Sequence, residues 1–156
     1  MEPIRITELN HAVLYVRDAA AAAAFYTGVL GFEVVDEMPG RAAFLRAGGS
    51  TNHHDLGLIA VGTGAPRPPV GATGLYHLAW RVESIHELAR AREVLAAHGA
   101  LRGQSDHGVS KSLYAADPDG NEFEVMYLLP EEEWGDHATK AVVAPLDLDA
   151  EVALRS

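Results

Sequence analysis

Two histidines and one glutamate in this 156-residue sequence stand where they could bind a metal ion. His11 begins the strand-like segment HAVLYVRD, and His77 begins HLAWRVES. Glu124 lies in NEFEVMYL, directly after the turn sequence DPDG. Two imidazoles and one carboxylate form the facial triad of non-haem Fe(II) sites, which leaves coordination positions open. The pattern therefore predicts one metal ion on these three side chains, with Fe(II) favoured and Mn(II) or another divalent ion as the alternative.

The two histidines occupy equivalent positions of an internal repeat. A typical helix N-cap residue, Asp18 or Ser84, follows each histidine seven positions later. The histidines and the caps share one offset, 77 − 11 = 66 and 84 − 18 = 66 residues. A shared offset of two independent landmarks indicates a duplication. Because pseudo-symmetric modules bring equivalent positions together, we expect His11 and His77 to be neighbours.

Both repeats show the order β-α-β-β-β. The first helix is predicted to start after Asp18 and to end at Gly28 and Gly31, and the second to start at a capping box at Ser84. The predicted fold class is α+β, with two paired β-α-β-β-β modules that form a concave sheet cup around the metal site. The strands are predicted at 9–16, 32–38, 41–47, 55–61, 75–82, 101–104, 111–116 and 121–128.

The repeat also sets the predicted domain organisation. One domain is expected at residues 1–129, with module one at 5–62 and module two at 75–129. The connector, residues 63–74, is rich in proline and glycine and is predicted to form no element. Residues 130–156 are predicted to be a C-terminal tail that is partly helical.

Composition excludes several classes of protein. The chain has no cysteine, so a metal must be held by nitrogen and oxygen ligands and no disulfide framework can form. A net charge of −10 argues against nucleic acid or an anionic membrane as partner. The N-terminal residues lack the apolar core of a signal peptide, and no apolar run reaches spanning length. A cytoplasmic location is the resulting expectation.

The duplicated unit resembles the vicinal oxygen chelate superfamily. The resemblance covers roughly residues 8–129 and includes FYTGVLGFEVV in the first half and DPDGNEFEVMY in the second. That superfamily contains glyoxalases, bleomycin-type resistance proteins and extradiol dioxygenases. Three segments are similar to the catalytic domain of type I extradiol (catechol 2,3-) dioxygenases. They are NHHDL at 52–56, LYHLAW at 75–80 and DHGVS at 106–110.

This resemblance implies a reaction and a role for each site residue. His11, His77 and Glu124 match the iron ligands, His54 matches the acid/base catalyst beside the metal, and His107 matches a second histidine beside the substrate. The implied enzyme inserts both atoms of O₂ into a catechol-like ring and cleaves it. An imidazole suits the proton transfer because its pKa lies near neutrality. The implied partners are the small aromatic substrate, O₂ and further copies of the chain in a homodimer or higher homo-oligomer.

One departure from the dioxygenase pattern and two other branches of the superfamily keep alternatives open. Ala116 stands where those dioxygenases usually carry a tyrosine before the DPDG turn, and Tyr114 lies on the same face two residues earlier. A glyoxalase-type isomerase is one alternative, although residues 56–61 lack the carboxylate or amide that those enzymes usually supply as a fourth ligand. A drug-sequestering resistance protein is the other, and it would need an apolar cleft rather than a metal triad.

Overall fold

Each repeat of the sequence folds into one four-stranded sheet with a helix packed against it. The computed structural model describes residues 2–67, 69 and 71–156, so two residues of the predicted connector, Pro68 and Val70, lie outside the described residues. The chain divides into two compact units, Met1–Arg67 and Pro68–Ser156. The first unit contains β1 (Ala12–Val16), α1 (Ala19–Leu30), β2 (Glu33–Met38), β3 (Ala42–Arg46) and β4 (Leu56–Ala60). The second contains β5 (Leu78–Val82), α2 (Ile85–Ala97), β6 (Leu101–Asp106), β7 (Ser110–Ala116), β8 (Glu122–Leu128) and α3 (Leu148–Leu154).

The two sheets have the same topology. Their strand orders are β1-β4-β3-β2 and β5-β8-β7-β6. The first and last strands of each unit pair in parallel, and the other neighbours pair antiparallel. The parallel pairs start at equivalent rungs, Ala12 opposite Leu56 and Leu78 opposite Phe123. The predicted α+β class and the repeated β-α-β-β-β order are confirmed.

The helices begin where the sequence predicts. Asp18 accepts a hydrogen bond from the Ala21 N–H, and Ser84 accepts one from the Glu87 N–H. The prediction that Gly28 helps to end the first helix is wrong, because α1 continues through it to Leu30. Gly31 ends the helix with a φ of 68°, a conformation that glycine adopts without a Cβ penalty.

The first strand of each unit is shorter than predicted. β1 begins at Ala12 and β5 at Leu78, so the two histidines precede the strands instead of lying in them. In the first unit the reason is the partner strand. β4 begins at Leu56, and the residues before it form a turn that offers no ladder for residues 9–11. β6 is longer than predicted and extends to Asp106. Its last two residues, Ser105 and Asp106, still pair with Ser112 and Lys111 of β7.

The helix-facing side of each sheet forms the core. In the first unit Val16, Tyr26, Leu45, Leu56 and Leu58 are fully buried. The opposite side of β1 carries Val13 and Tyr15, which are 52% and 73% exposed. The second unit buries Leu88, Leu95, Leu113, Phe123 and Val125.

The C-terminal segment belongs to the second unit. Ala144 pairs with Asp106 at the end of β6, and α3 packs on α2. The first residue of α3, Leu148, is 1% exposed. Two short 3-10 turns, Glu131–Glu133 and Gly135–Thr139, precede this segment. None of the helices in the described part of the chain is long and apolar enough to cross a membrane.

Candidate active site

The second unit brings two of the predicted metal ligands together. His77 lies directly before β5, and Glu124 lies on the neighbouring parallel strand β8. The His77 Nε2 atom is 3.1 Å from Glu124 Oε2, and Glu124 is 9% exposed. An imidazole nitrogen and a carboxylate oxygen are donors that divalent metals accept. The chemistry of this pair therefore fits a divalent metal, which His77 and Glu124 would hold.

Glu122 lies on the same face of β8 as Glu124. Its Oε1 atom is 3.8 Å from His77 Nδ1, which is too far for a hydrogen bond. Among the described residues the buried Nδ1 atom has no hydrogen-bond partner. The charge of Glu122 and a hydrogen bond to it raise the pKa of Tyr76. Glu122 is therefore a carboxylate that lies close to His77 Nδ1 without a direct hydrogen bond.

Tyr114 lies beside this pair and was missed as a functional residue. It sits opposite Glu124 in the antiparallel β7–β8 ladder. Burial, followed by the charge of Glu124, raises its pKa, so its hydroxyl stays protonated at neutral pH. The position of Tyr114 opposite Glu124 could have been predicted from the DPDG turn. A hairpin turn at residues 117–120 sets the register of the flanking strands and so places Tyr114 opposite Glu124.

His107 has both ring nitrogens engaged. Its Nδ1 atom is 2.8 Å from the carbonyl oxygen of Val142, and its Nε2 atom is 2.7 Å from the hydroxyl of Tyr114. A carbonyl only accepts, so Nδ1 carries the proton and Nε2 accepts from the tyrosine. In this arrangement His107 orients Tyr114. Its predicted contact with a substrate stays a prediction.

The first unit brings the third predicted ligand to the predicted acid/base residue. The rings of His11 and His54 have centroids 4.6 Å apart, and Phe44 contacts the His54 ring from another side. Burial, together with the charges of His11 and His53, lowers the pKa of His54. His54 is therefore neutral at physiological pH and can accept a proton.

Within each unit the structure brings two of the predicted site residues together. Throughout the residues that the structure describes, no three His, Asp or Glu side chains meet in metal-binding geometry. Each unit provides a pair instead, His11 with His54 in the first and His77 with Glu124 in the second. The metal-ligand assignment thus stays a prediction.

The first unit has no counterpart of Glu124. In the second unit Glu124 is opposite Ala79, and the equivalent rung of the first unit pairs Gly57 with Val13. A Cβ at Gly57 would lie 3.3 Å from a methyl group of Val13. This position therefore offers no ligand, and Val13 occupies the space beside it.

The same face of the first unit carries an open apolar groove. Val13, Tyr15 and Ile59 line a cavity of about 240 Å³. Val13 and Tyr15 alternate with the buried side of β1, and Tyr15 pairs with Ile59 of β4 on the same face. Such a surface suits a flat apolar group such as an aromatic ring.

Comparison with known proteins assigns the family. The model of the Glyoxalase/Bleomycin resistance protein/Dioxygenase superfamily matches residues 8–125. The chain belongs to this superfamily. The family resemblance inferred from the sequence is thereby confirmed, and this superfamily includes proteins with the same two-sheet α+β fold.

Two superfamily relatives carry dioxygenase names. The chain is 35% identical over 128 residues to catechol-2,3-dioxygenase from Bacillus subtilis (strain 168), which covers 82% of this chain and 44% of the relative. It is 34% identical over 129 residues to biphenyl-2,3-diol 1,2-dioxygenase 3 from Rhodococcus globerulus, covering 80% and 66% respectively. The chain thus spans between about two fifths and two thirds of the length of these relatives.

A solved superfamily structure has a different name. The crystal structure of lactoylglutathione lyase from Agrobacterium tumefaciens superimposes with a TM-score of 0.61 at 27% sequence identity. The match covers 84% of this chain and 98% of that chain. Superfamily membership alone therefore leaves the reaction open between oxygenase and isomerase chemistry.

Proposed function

We propose that this protein is a metal-dependent extradiol-type dioxygenase that cleaves a catechol-like ring. The observation that carries the proposal is the pairing of His77 with Glu124 at 3.1 Å, with Tyr114 opposite Glu124. The names of two relatives support it, since catechol and biphenyl-2,3-diol are both vicinal aromatic diols. Both atoms of O₂ enter the product, and the substrate supplies all the electrons, so no further reductant is required.

In this proposal His11, His77 and Glu124 hold one divalent metal, Fe(II) first and Mn(II) second. When bound, the metal supplies the Lewis-acid and redox chemistry that lets a diol react with O₂. A divalent ion held by two neutral imidazoles and one carboxylate has a net charge of +1 together with its ligands. That charge favours an anionic diol over a neutral one.

The remaining residues handle the proton and the orientation of the substrate. His54 takes a substrate hydroxyl proton on a ring nitrogen, because it is neutral and lies beside His11. Tyr114 keeps its own proton and donates it in a hydrogen bond to His107 Nε2, so its hydroxyl oxygen can accept a hydrogen bond from the substrate. The groove at Val13, Tyr15 and Ile59 packs against the apolar part of the ring.

A glyoxalase-type isomerase is disfavoured by Gly57. The rung that would supply a second carboxylate in the first unit has no side chain, and Val13 fills the adjacent space. The nearest carboxylate, Asp55, is already bound by three donors at the start of β4. The four-ligand site expected of that branch therefore lacks one ligand.

Metal analysis of a variant tests the ligand assignment. Glu124→Ala removes the only carboxylate of the proposed set, so it should lose stoichiometric metal while the far-UV circular dichroism of the protein stays unchanged. Glu93→Ala on the exposed side of α2 is the matched control and should retain the metal. Full metal retention in Glu124→Ala would show that this carboxylate is not a ligand.

An oxygen electrode tests the reaction class. Protein reconstituted anaerobically with Fe(II) should consume one O₂ per molecule of catechol or 2,3-dihydroxybiphenyl and form a coloured ring-opened product. Turnover of methylglyoxal plus a thiol without O₂ uptake would assign the isomerase branch instead. Binding of aromatic ligands with no metal and no turnover would identify a sequestering protein.

A further inference from the structure

We propose that Asp55, Asn52 and Asn10 form a hydrogen-bond relay that fixes the tautomer of His11. The relay places the ring proton on Nδ1 and leaves the lone pair on Nε2 for a metal. These are positioning residues, since they act through His11. The tautomer follows from the first unit alone, whereas its use toward a metal rests on the proposed function.

The relay starts at a buried carboxylate. Asp55 stands directly before β4 and is 9% exposed. Its Oδ2 atom accepts from the Ala47 N–H at 2.8 Å, and its Oδ1 atom accepts from Ser50 Oγ and Asn52 Nδ2, each at 2.8 Å. Burial by itself raises the pKa of Asp55, but these three hydrogen bonds outweigh it, so that the pKa is lowered and the carboxylate stays ionised.

The carboxylate fixes the orientation of the Asn52 amide. Asn52 Nδ2 is 2.8 Å from Asp55 Oδ1 and 2.9 Å from the backbone oxygen of Asn10. An ionised carboxylate and a carbonyl can only accept, so the NH₂ group must face both of them. The Asn52 Oδ1 atom consequently points the other way, to Asn10 Nδ2 at 3.3 Å.

The Asn10 amide passes this orientation to the histidine. Because the Asn10 NH₂ group faces Asn52 Oδ1, the Asn10 Oδ1 atom faces His11 Nδ1 at 2.9 Å. An amide oxygen only accepts, so His11 Nδ1 must donate. A neutral His11 then exposes its Nε2 lone pair, which is how a metal-binding histidine is usually held by its outer-shell partner.

The histidine that the relay orients also contacts the predicted acid/base residue. His54 is adjacent to Asp55 in the same turn, its ring contacts the His11 ring, and its Nδ1 atom is 3.1 Å from His53 Nδ1. The second unit does not repeat the device, since Tyr76 stands 66 residues after Asn10 (76 − 10 = 66) and His77 Nδ1 lacks a hydrogen-bond partner among the described residues.

Nitrogen-15 NMR of metal-free, histidine-labelled protein tests the tautomer directly. At a pH where the ring is neutral, His11 should show a protonated Nδ1 and an unprotonated Nε2. Asn10→Leu removes the acceptor, so His11 should lose this preference, and Asn10→Asp keeps an acceptor and should preserve it. Asn52→Leu, which acts on His11 only through Asn10, should also weaken the preference for the Nδ1-protonated tautomer. An Nε2-protonated His11 in the wild type, or an unchanged tautomer in Asn10→Leu, would overturn the relay.

Metal titration of the same variants separates the relay from the proposed function. Asn10→Leu should bind Fe(II) or Mn(II) about 10–100-fold more weakly than the wild type, with Asn10→Asp restoring the affinity. If the wild type shows the expected tautomer but binds no metal, the relay stands and the proposed function fails. Equal metal affinity in Asn10→Leu despite a changed tautomer would overturn the role of the relay toward the metal.

Discussion

At the scale of single residues, His54 offers the sharpest test of the proposed chemistry. His54→Phe keeps the ring volume but removes the proton acceptor, and general acid–base groups typically contribute about 10²–10⁴-fold. We expect unchanged metal content, near-normal substrate binding and turnover reduced within that range. His86→Phe on the exposed side of α2 is the control. Metal loss in His54→Phe would show that His54 is a ligand and that the triad is misassigned.

Tyr114 gives a second residue-level prediction. Tyr114→Phe leaves His107 Nε2 without the hydroxyl 2.7 Å away and removes the hydroxyl of the residue that pairs with Glu124 in the β7–β8 ladder. A lost hydrogen bond of about 1.4 kcal/mol corresponds to about tenfold in turnover. Steady-state kinetics on iron-loaded protein would measure it. Tyr127→Phe, on the opposite face of β8, should keep full activity, and an equal loss in both variants would argue against a specific role.

The sequence predicts these residues to different degrees. The assignment of His11 and His77 as ligands rests on the duplicated unit, which marks equivalent positions, and that of Glu124 rests on the clear turn before it. All three assignments stay predictions. Tyr114 was noted only as the tyrosine two residues before Ala116, and Asn10 was not singled out. Their roles depend on a strand register and on the direction of an amide group, and composition and periodicity report neither of these.

At the scale of elements, the C-terminal segment is predicted to stabilise the second unit. Leu148 is fully buried at the start of α3, and Leu154 at its end is 77% exposed. Leu148→Ala should lower the free energy of unfolding by about 2–5 kcal/mol, as other buried leucine truncations do. Leu154→Ala should change it by about 0.5 kcal/mol or less. Urea unfolding measures both, and equal effects would mean that α3 is not docked.

The turn before β4 should be sensitive to acid. The lowered pKa of Asp55 means that its stabilising effect is complete above the ordinary value of about 3.9 and is lost as the pH falls through the lower folded value. Asp55→Asn should cost about 1–3 kcal/mol of unfolding free energy at pH 7. The difference from wild type should shrink below about pH 4. Asp36→Asn, on exposed β2, is the control, and a difference independent of pH would contradict the prediction.

Element types were easier to predict than element ends. Every predicted strand and both predicted helices of the repeats exist, because alternation and capping are local properties. The predicted start of β1 was wrong because the true start depends on where its partner strand β4, distant in the sequence, begins. The end of α1 was wrong because a glycine inside a helix costs only about 1 kcal/mol, which packing of the helix can offset.

At the scale of the whole molecule, the duplication explains both the repeated fold and the positions of the predicted site residues. Two copies of one topology have diverged at one equivalent rung, where the first carries Gly57 and the second Glu124. Each copy brings together a different pair of predicted site residues, His11 with His54 and His77 with Glu124. The homo-oligomer expected from the sequence stays a prediction, and light scattering of the purified protein would measure it.

The parallel pairing of β1 with β4 has a consequence for the order of folding. β2 and β3 are joined by a short turn, but Asn10 and Asn52, which flank the parallel pair, are 42 residues apart in the chain. Closing a long loop costs more entropy than closing a hairpin, so distant pairs form later. Pulsed hydrogen exchange during refolding should protect the β2–β3 amides before the Ala12 N–H, which binds the carbonyl oxygen of Asp55. His11 and His54 therefore meet only when β1 pairs with β4, and a chain halted before that step would have the β2–β3 hairpin without the predicted site residues together.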